Sequence, residues 1–214
     1  GGTCTNLGCI PKKLMVYGSR FPALFHDAVG YGWHVGETSF DWQHFITSID
    51  NEVNRLAQLH TNFLAKAGVE LIPSRATIVD SHTIEVDGRK VTADKILIAV
   101  GGRPIKPDIP GMEHVMTSNE MFHLPEKPKH VAIIGAGYIG VEFASIMRGL
   151  GCEVSQIIRK DLILRGFDRD IRNEIQQGMI HHGIQIISNN VVTAIDRVPE
   201  GLKLTLSDKD REPI

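Results

Sequence analysis

Cys4 and Cys9 stand five positions apart in the opening stretch GGTCTNLGCIPKK, with Lys12 and Lys13 just behind them. Pro11 marks the start of a helix, since proline is tolerated in a first turn. A thiol at such a start ionises readily, because the helix dipole and the two lysine charges all favour the thiolate. The neighbours therefore predict a reactive pair, with a structural disulfide as the alternative. Were the segment one regular helix, the two Cα atoms would lie about 8–9 Å apart. That exceeds the roughly 7 Å a disulfide allows, so the chain must bend, and Gly8 makes bending easy. No metal is expected: Cys152 is remote in sequence and no histidine stands at a useful spacing for zinc.

A second cluster is HVAIIGAGYIG, in which Gly135, Gly137 and Gly140 give a G-x-G-x-x-G spacing between an apolar strand and an apolar-faced helix. In that context the spacing predicts a dinucleotide-binding turn. Gly135 permits the tight turn, Gly137 lets the backbone approach a pyrophosphate, and Gly140 lets helix and strand pack closely. The helix start offers free N–H groups to the phosphates. The end of the following strand selects the nucleotide. A plain ribose is met there by an acid, but this chain reads QIIRKDLILRGFD, with Ile158 near the acid's place and Arg159, Lys160 and Arg165 following. Arginines bind a 2′-phosphate and an acid repels one, so NADPH is expected over NADH.

Elements of both kinds must position these groups. A helix is expected from Pro11 to about Leu24 and a second, capped by Asp41, through Trp42, Phe45, Ile46, Ile49, Val53, Leu56, Leu59 and Phe63 to Gly68. Strands are expected in VELIP, ATIVD, TIEV and KVTADKILIAV, with an Asp87-Gly88 hairpin turn between the last two. GGRPIKPDIPG, Gly101 to Gly111, reads as a domain edge. Beyond the glycine turn a helix from Asp168 to His182 leads to the strands GIQIISNN, VVTAIDRV and LKLTLSD. The expected fold is α/β, two incomplete Rossmann-like nucleotide-binding domains with mainly parallel sheets, divided into residues 1–100 and 101–214.

Composition narrows the partners. The chain has 214 residues, 42% hydrophobic and 22% charged, with a net charge of -2. That balance gives no reason to expect nucleic acid, and no run approaches the roughly 18 apolar residues of a membrane span. The chain opens inside a motif and stops after a strand-like pattern, so it reads as an internal stretch of a longer protein. A cytoplasmic setting is expected, with an organelle as the alternative.

Taken together these segments resemble the class I pyridine nucleotide–disulfide oxidoreductases. GGTCTNLGCIPKK is similar to that family's redox-active disulfide motif, ILIAVGGRP to its second flavin-contacting stretch, GAGYIGVEFA to its pyridine-nucleotide turn, and IIRKDLILRGFD to the NADPH-selecting segment of the glutathione reductase branch. The resemblance implies an FAD part and an NADPH part, with glutathione disulfide as substrate and a homodimer in the full-length protein. It implies that Cys9 is the flavin-side thiol and Cys4 the interchange thiol that attacks the substrate. Lys12 would pair with Glu142 beside the flavin, and Tyr138 would be a lid over it. Gly1, Gly2, Thr3 and Gly101 would contact cofactor, as would Ile139 in the nucleotide turn, while Arg159, Lys160 and Arg165 would hold the 2′-phosphate.

The family's FAD glycine turn and His–Glu pair would lie outside this chain, so the fragment alone is expected to be inactive. His60 stands where an aromatic is usual, and His181 and His182 receive no role. Large thioredoxin reductases and trypanothione reductase share much of the pattern. Lipoamide dehydrogenases differ at Lys12 and at Ile158. A nucleotide-binding module without redox activity is the reading from another class; the intact Cys4–Cys9 pair argues against it.

Overall fold

The structure is a computed structural model and describes residues 2–208. The cysteine segment is two helices, α1 (Thr3–Leu7) and α2 (Cys9–Ser19), meeting at Gly8. A Cβ on Gly8 would lie 2.8 Å from the Thr3 carbonyl oxygen and 3.1 Å from the Cys4 Cα, so the fold between the helices admits only glycine without a shift. The helix expected to run to Leu24 stops at Arg20. Pro22 in the first turn of α3 (Phe21–Gly30) has no N–H for the Gly18 carbonyl and its ring would strike it. Asp41 caps α4 (Trp42–Lys66) as expected, its carboxylate accepting the His44 N–H at 2.9 Å.

The strands of the first half form a three-stranded antiparallel sheet, β1 (Ala76–Ile78), β2 (Thr83–Val86) and β3 (Arg89–Thr92). This corrects the expectation of a mainly parallel sheet there. The Asp87-Gly88 turn is present, with both residues at positive φ, 50° and 72°. VELIP and ILIAV are not strands. Leu97, Ile98 and Val100 are exposed and pair with no described strand, and an apolar run becomes a strand only beside a neighbour that completes its hydrogen bonds.

After a short 3₁₀ turn (Met112–His114) and α5 (Ser118–Met121), the second half alternates β4 (His130–Ile134), α6 (Tyr138–Gly149), β5 (Glu153–Ile157), α7 (Arg169–His181) and β6 (Gln185–Ile187). The three strands run parallel in the order β4-β5-β6. An antiparallel pair follows, β7 (Asn190–Val198) and β8 (Gly201–Asp208).

One apolar core crosses residue 101. Met15 from α2 and Trp42, Ile46 and Ile49 from α4 pack with Phe143, Ile146 and Met147 of α6. The Trp42 indole N–H donates to the Leu124 carbonyl at 2.8 Å across the same boundary. Backbone closeness fixes the crossing: a Cβ on Gly149 would lie 2.5 Å from the Ser19 carbonyl oxygen. Ile109, Met112 of the 3₁₀ turn and Val115 just after it pack with Ile157, Val192 and Ile195 in a second cluster. Among the described residues no helix is long and apolar enough to cross a membrane.

Candidate functional site

Bent at Gly8, α1 brings Cys4 beside Cys9, the first residue of α2; both are exposed free thiols. The Cys4 thiol holds its proton more tightly than an ordinary cysteine. The main cause is its hydrogen bond to the Cys9 side chain, followed by desolvation and the charge of Cys9; a hydrogen bond to the Cys9 backbone and then the Lys12 charge pull the other way. At Cys4 the neighbouring sulfur outweighs the Lys12 charge. Lys13 does not face the thiols; its ammonium lies 4.9 Å from the centre of the Tyr17 ring.

Lys12 turns to the second cluster. Its Nζ donates to Glu142 Oε1 at 2.8 Å, both side chains partly shielded from water. The ion pair thus ties the cysteine helix to the first turns of α6, the helix opened by the glycine turn.

That turn has the expected geometry. Gly135 sits at φ 128°, a conformation that resists a side chain, and its N–H donates to the Ile157 carbonyl at 3.0 Å. Gly137 is the residue before α6, and a Cβ there would project into open space. A Cβ on Gly140 would meet the Gly135 carbonyl oxygen at 3.1 Å and Ile133 at 3.4 Å, the close helix–strand contact the spacing predicted. No side chain caps α6, so the N–H groups of Tyr138, Ile139 and Gly140 are free for an anion. Tyr138 and Ile139 are exposed at this edge. A dinucleotide pyrophosphate fits this cradle.

Sequence reasoning missed the support beneath the turn. Gln156, fully buried in β5, donates from Nε2 to the Gly135 carbonyl at 2.8 Å. A glutamine among apolar strand residues was the available signal.

The basic segment follows the end of β5. Ile158 is fully buried in the core and bonded to the next strand's end, its N–H donating to the Ile187 carbonyl. The first exposed side chain past the strand is Arg159. Lys160 and Arg165 are also exposed. The Leu164 N–H donates to the Ala136 carbonyl at 2.7 Å, which sets Arg165 next to the glycine turn.

The remaining candidates are dispersed. Gly2 (φ 94°) precedes α1 and Thr3 begins it; Gly101 (φ 70°) lies at the end of the exposed ILIAV run, and all three are open to a ligand. Gly1 lies outside the described residues. His60 is half-buried on α4. His182 uses its carbonyl to accept from Arg148 Nε at 2.8 Å.

The family model for pyridine nucleotide-disulphide oxidoreductases matches residues 1–214. The chain is 71% identical over 214 residues to a glutathione reductase of Nostoc sp., covering all of this chain and 47% of that protein. It is 43% identical over 213 residues to the chloroplastic/mitochondrial glutathione reductase of Pisum sativum, covering 99% of this chain and 39% of that one. With the mitochondrial thioredoxin reductase 2 of Drosophila melanogaster the identity is 39% over 210 residues, 94% of this chain and 40% of the other. Among solved structures, the HOCl-induced flavoprotein disulfide reductase RclA of Escherichia coli superimposes with a TM-score of 0.82 at 30% identity, covering 96% of this chain and 44% of that one. The chain spans less than half the length of each of these relatives.

Proposed function

The chain belongs to the pyridine nucleotide-disulphide oxidoreductase family, and on that premise we propose that it is the redox-disulfide and NADPH-binding portion of a flavoprotein that reduces glutathione disulfide. The observation that carries this reading is the Lys12–Glu142 pair, which clips the dithiol helix to the dinucleotide helix. An electron source and an electron acceptor held that way form one site. The similarity to the Nostoc and pea enzymes supports the choice of glutathione disulfide, and Arg159, Lys160 and Arg165 support NADPH.

The chain's residues then have these tasks. Gly135, Gly137 and the start of α6 hold the pyrophosphate, with Ile139 and Gly140 supplying N–H groups. Arg159, Lys160 and Arg165 hold the 2′-phosphate. Gly2, Thr3 and Gly101 would border the flavin, as would Gly1 outside the described residues, and Tyr138 would cover it. Bound NADPH and FAD would supply the electron pair that opens the Cys4–Cys9 disulfide. Cys4 as thiolate attacks one sulfur of glutathione disulfide, forms a mixed disulfide and expels one glutathione thiolate. Cys9 attacks the Cys4 sulfur, expels the second and restores the internal disulfide. Because Cys4 holds its proton tightly, attack needs a base; the His–Glu pair beyond this chain, supplied across a homodimer, takes that part. Residues 1–100 belong to the FAD part and 101–214 to the NADPH part. The protein acts in the cytoplasm; the pea relative's name keeps an organelle as the alternative.

Large thioredoxin reductases are the second reading, on the Drosophila similarity. Turnover of the intact protein with NADPH against glutathione disulfide, thioredoxin and trypanothione separates the two. Reduction of glutathione disulfide is expected; reduction of thioredoxin alone overturns the substrate, and a preference for NADH overturns the cofactor. Cys4→Ser should abolish disulfide reduction while calorimetric NADPH binding stays unchanged.

A further inference from the structure

The basic residues proposed to select the nucleotide flank a short strap, Asp161 to Leu164, which two side chains of α7 hold by its backbone. Gln176 is buried; its Oε1 accepts the Ile163 N–H at 3.1 Å and its Nε2 donates to the Asp161 carbonyl at 3.1 Å. Arg172 donates from Nε to the Ile163 carbonyl at 2.6 Å and from Nη2 to the Leu162 carbonyl at 3.1 Å. The strap has no ladder of its own, so these bonds replace one.

The same strap carries local strain. Leu164 adopts φ 54°, a left-handed conformation that a branched apolar residue takes only when its surroundings impose it. Leu162, Ile163 and Leu164 are buried, whereas Arg159, Lys160 and Arg165 at the two ends are exposed. The Asn189 N–H donates to the Lys160 carbonyl at 3.2 Å, anchoring the leading end, and the Leu164–Ala136 bond anchors the trailing end to the glycine turn.

We propose that Arg172 and Gln176 are positioning residues for nucleotide selectivity: by fixing the strap they present Arg159, Lys160 and Arg165 in one arrangement that fits a ribose phosphate. A phosphate gripped by several cations depends on their relative placement, since each charge-assisted bond tolerates little displacement. A nucleotide lacking that phosphate meets the glycine turn alone and does not feel the strap. The inference rests on the NADPH reading, and the test separates the two.

Binding of adenosine 2′,5′-bisphosphate and of ADP to the intact protein is measured by calorimetry for the parent and for Arg172→Met, Gln176→Leu and Arg159→Ala. Arg172→Met and Gln176→Leu should each weaken the bisphosphate by about tenfold, the loss of roughly one charge-assisted bond. ADP should stay within about twofold, because the pyrophosphate contacts are untouched. Arg172→Lys, which keeps the charge but loses the fork, should recover part of the loss. If Arg159→Ala leaves the bisphosphate preference intact, the NADPH reading itself fails. If Arg159→Ala abolishes the preference while Arg172→Met weakens both nucleotides equally, or neither, the positioning role is wrong. Should Gln176→Leu not fold, Arg172→Met decides alone, since Arg172 is only half-buried.

Discussion

Lys12 Nζ lies 2.8 Å from Glu142 Oε1, although 130 positions of chain separate the two residues. Partial burial places the pair between an open surface bridge, worth about 0–1 kcal/mol, and a buried one whose breakage costs about 3–5 kcal/mol. Lys12→Met and Glu142→Gln should each lower the unfolding free energy of the intact protein by about 1–2 kcal/mol. Together they should cost less than their sum, with a coupling of about 1 kcal/mol in a double-mutant cycle read by urea denaturation. A coupling indistinguishable from zero would remove the pair from its structural role.

Gly8 should not tolerate a methyl group. Gly8→Ala puts a Cβ 2.8 Å from a backbone oxygen, which cannot rotate away. The expected loss is about 1–3 kcal/mol, and α1 should swing so that Cys4 leaves Cys9. Titration against a glutathione redox buffer checks this: the Cys4–Cys9 disulfide should become easier to reduce.

Gly149→Ala opposes two effects of known size. Alanine in a helix gains about 1 kcal/mol over glycine, but its Cβ would lie 2.5 Å from the Ser19 carbonyl oxygen. Overpacking of that kind costs about 1–3 kcal/mol. The net expectation is destabilisation, measured as a lower Tm; a raised Tm would show that α2 can retreat from α6 without penalty.

The Cys4 thiol sets a pH dependence. Its pKa is raised in the folded state, mainly by the hydrogen bond to Cys9. The folded protein therefore holds this proton more tightly than the unfolded chain. The contribution to stability is complete below the ordinary thiol pKa and disappears as pH rises through the raised one. Iodoacetamide labelling of Cys4 in the reduced protein should accelerate only at a pH above that of a free cysteine, and Cys9→Ser should shift the midpoint downward.

Much of the candidate site was legible because its chemistry is local. The thiols, Gly8, the glycine turn, the Asp41 cap and the Asp87-Gly88 turn each follow from a few adjacent residues. What the sequence hid depends on partners remote in the chain. ILIAV has the composition of a strand, yet a strand exists only beside another. Ile158 and Arg159 are neighbours, and only the closing of β6 against β5 decides which of them is buried. Gln156, Arg172 and Gln176 act on backbone groups 9 to 21 positions away, so no spacing rule marks them. Pro22 was the exception: its missing N–H at the Gly18 carbonyl was readable, and the helix boundary could have been set by it.

The core that joins Met15, Trp42, Ile46 and Ile49 to Phe143, Ile146 and Met147 has a kinetic consequence. Separating the halves would expose these side chains at about 1.5–3 kcal/mol each, so hinge opening between them is too rare to admit a ligand on each turnover. Under the proposed function, nucleotide traffic would instead use rotations of exposed side chains at the edge of the glycine turn. Tyr138, 62% accessible at the start of α6, is one side chain there whose rotation disturbs no buried packing.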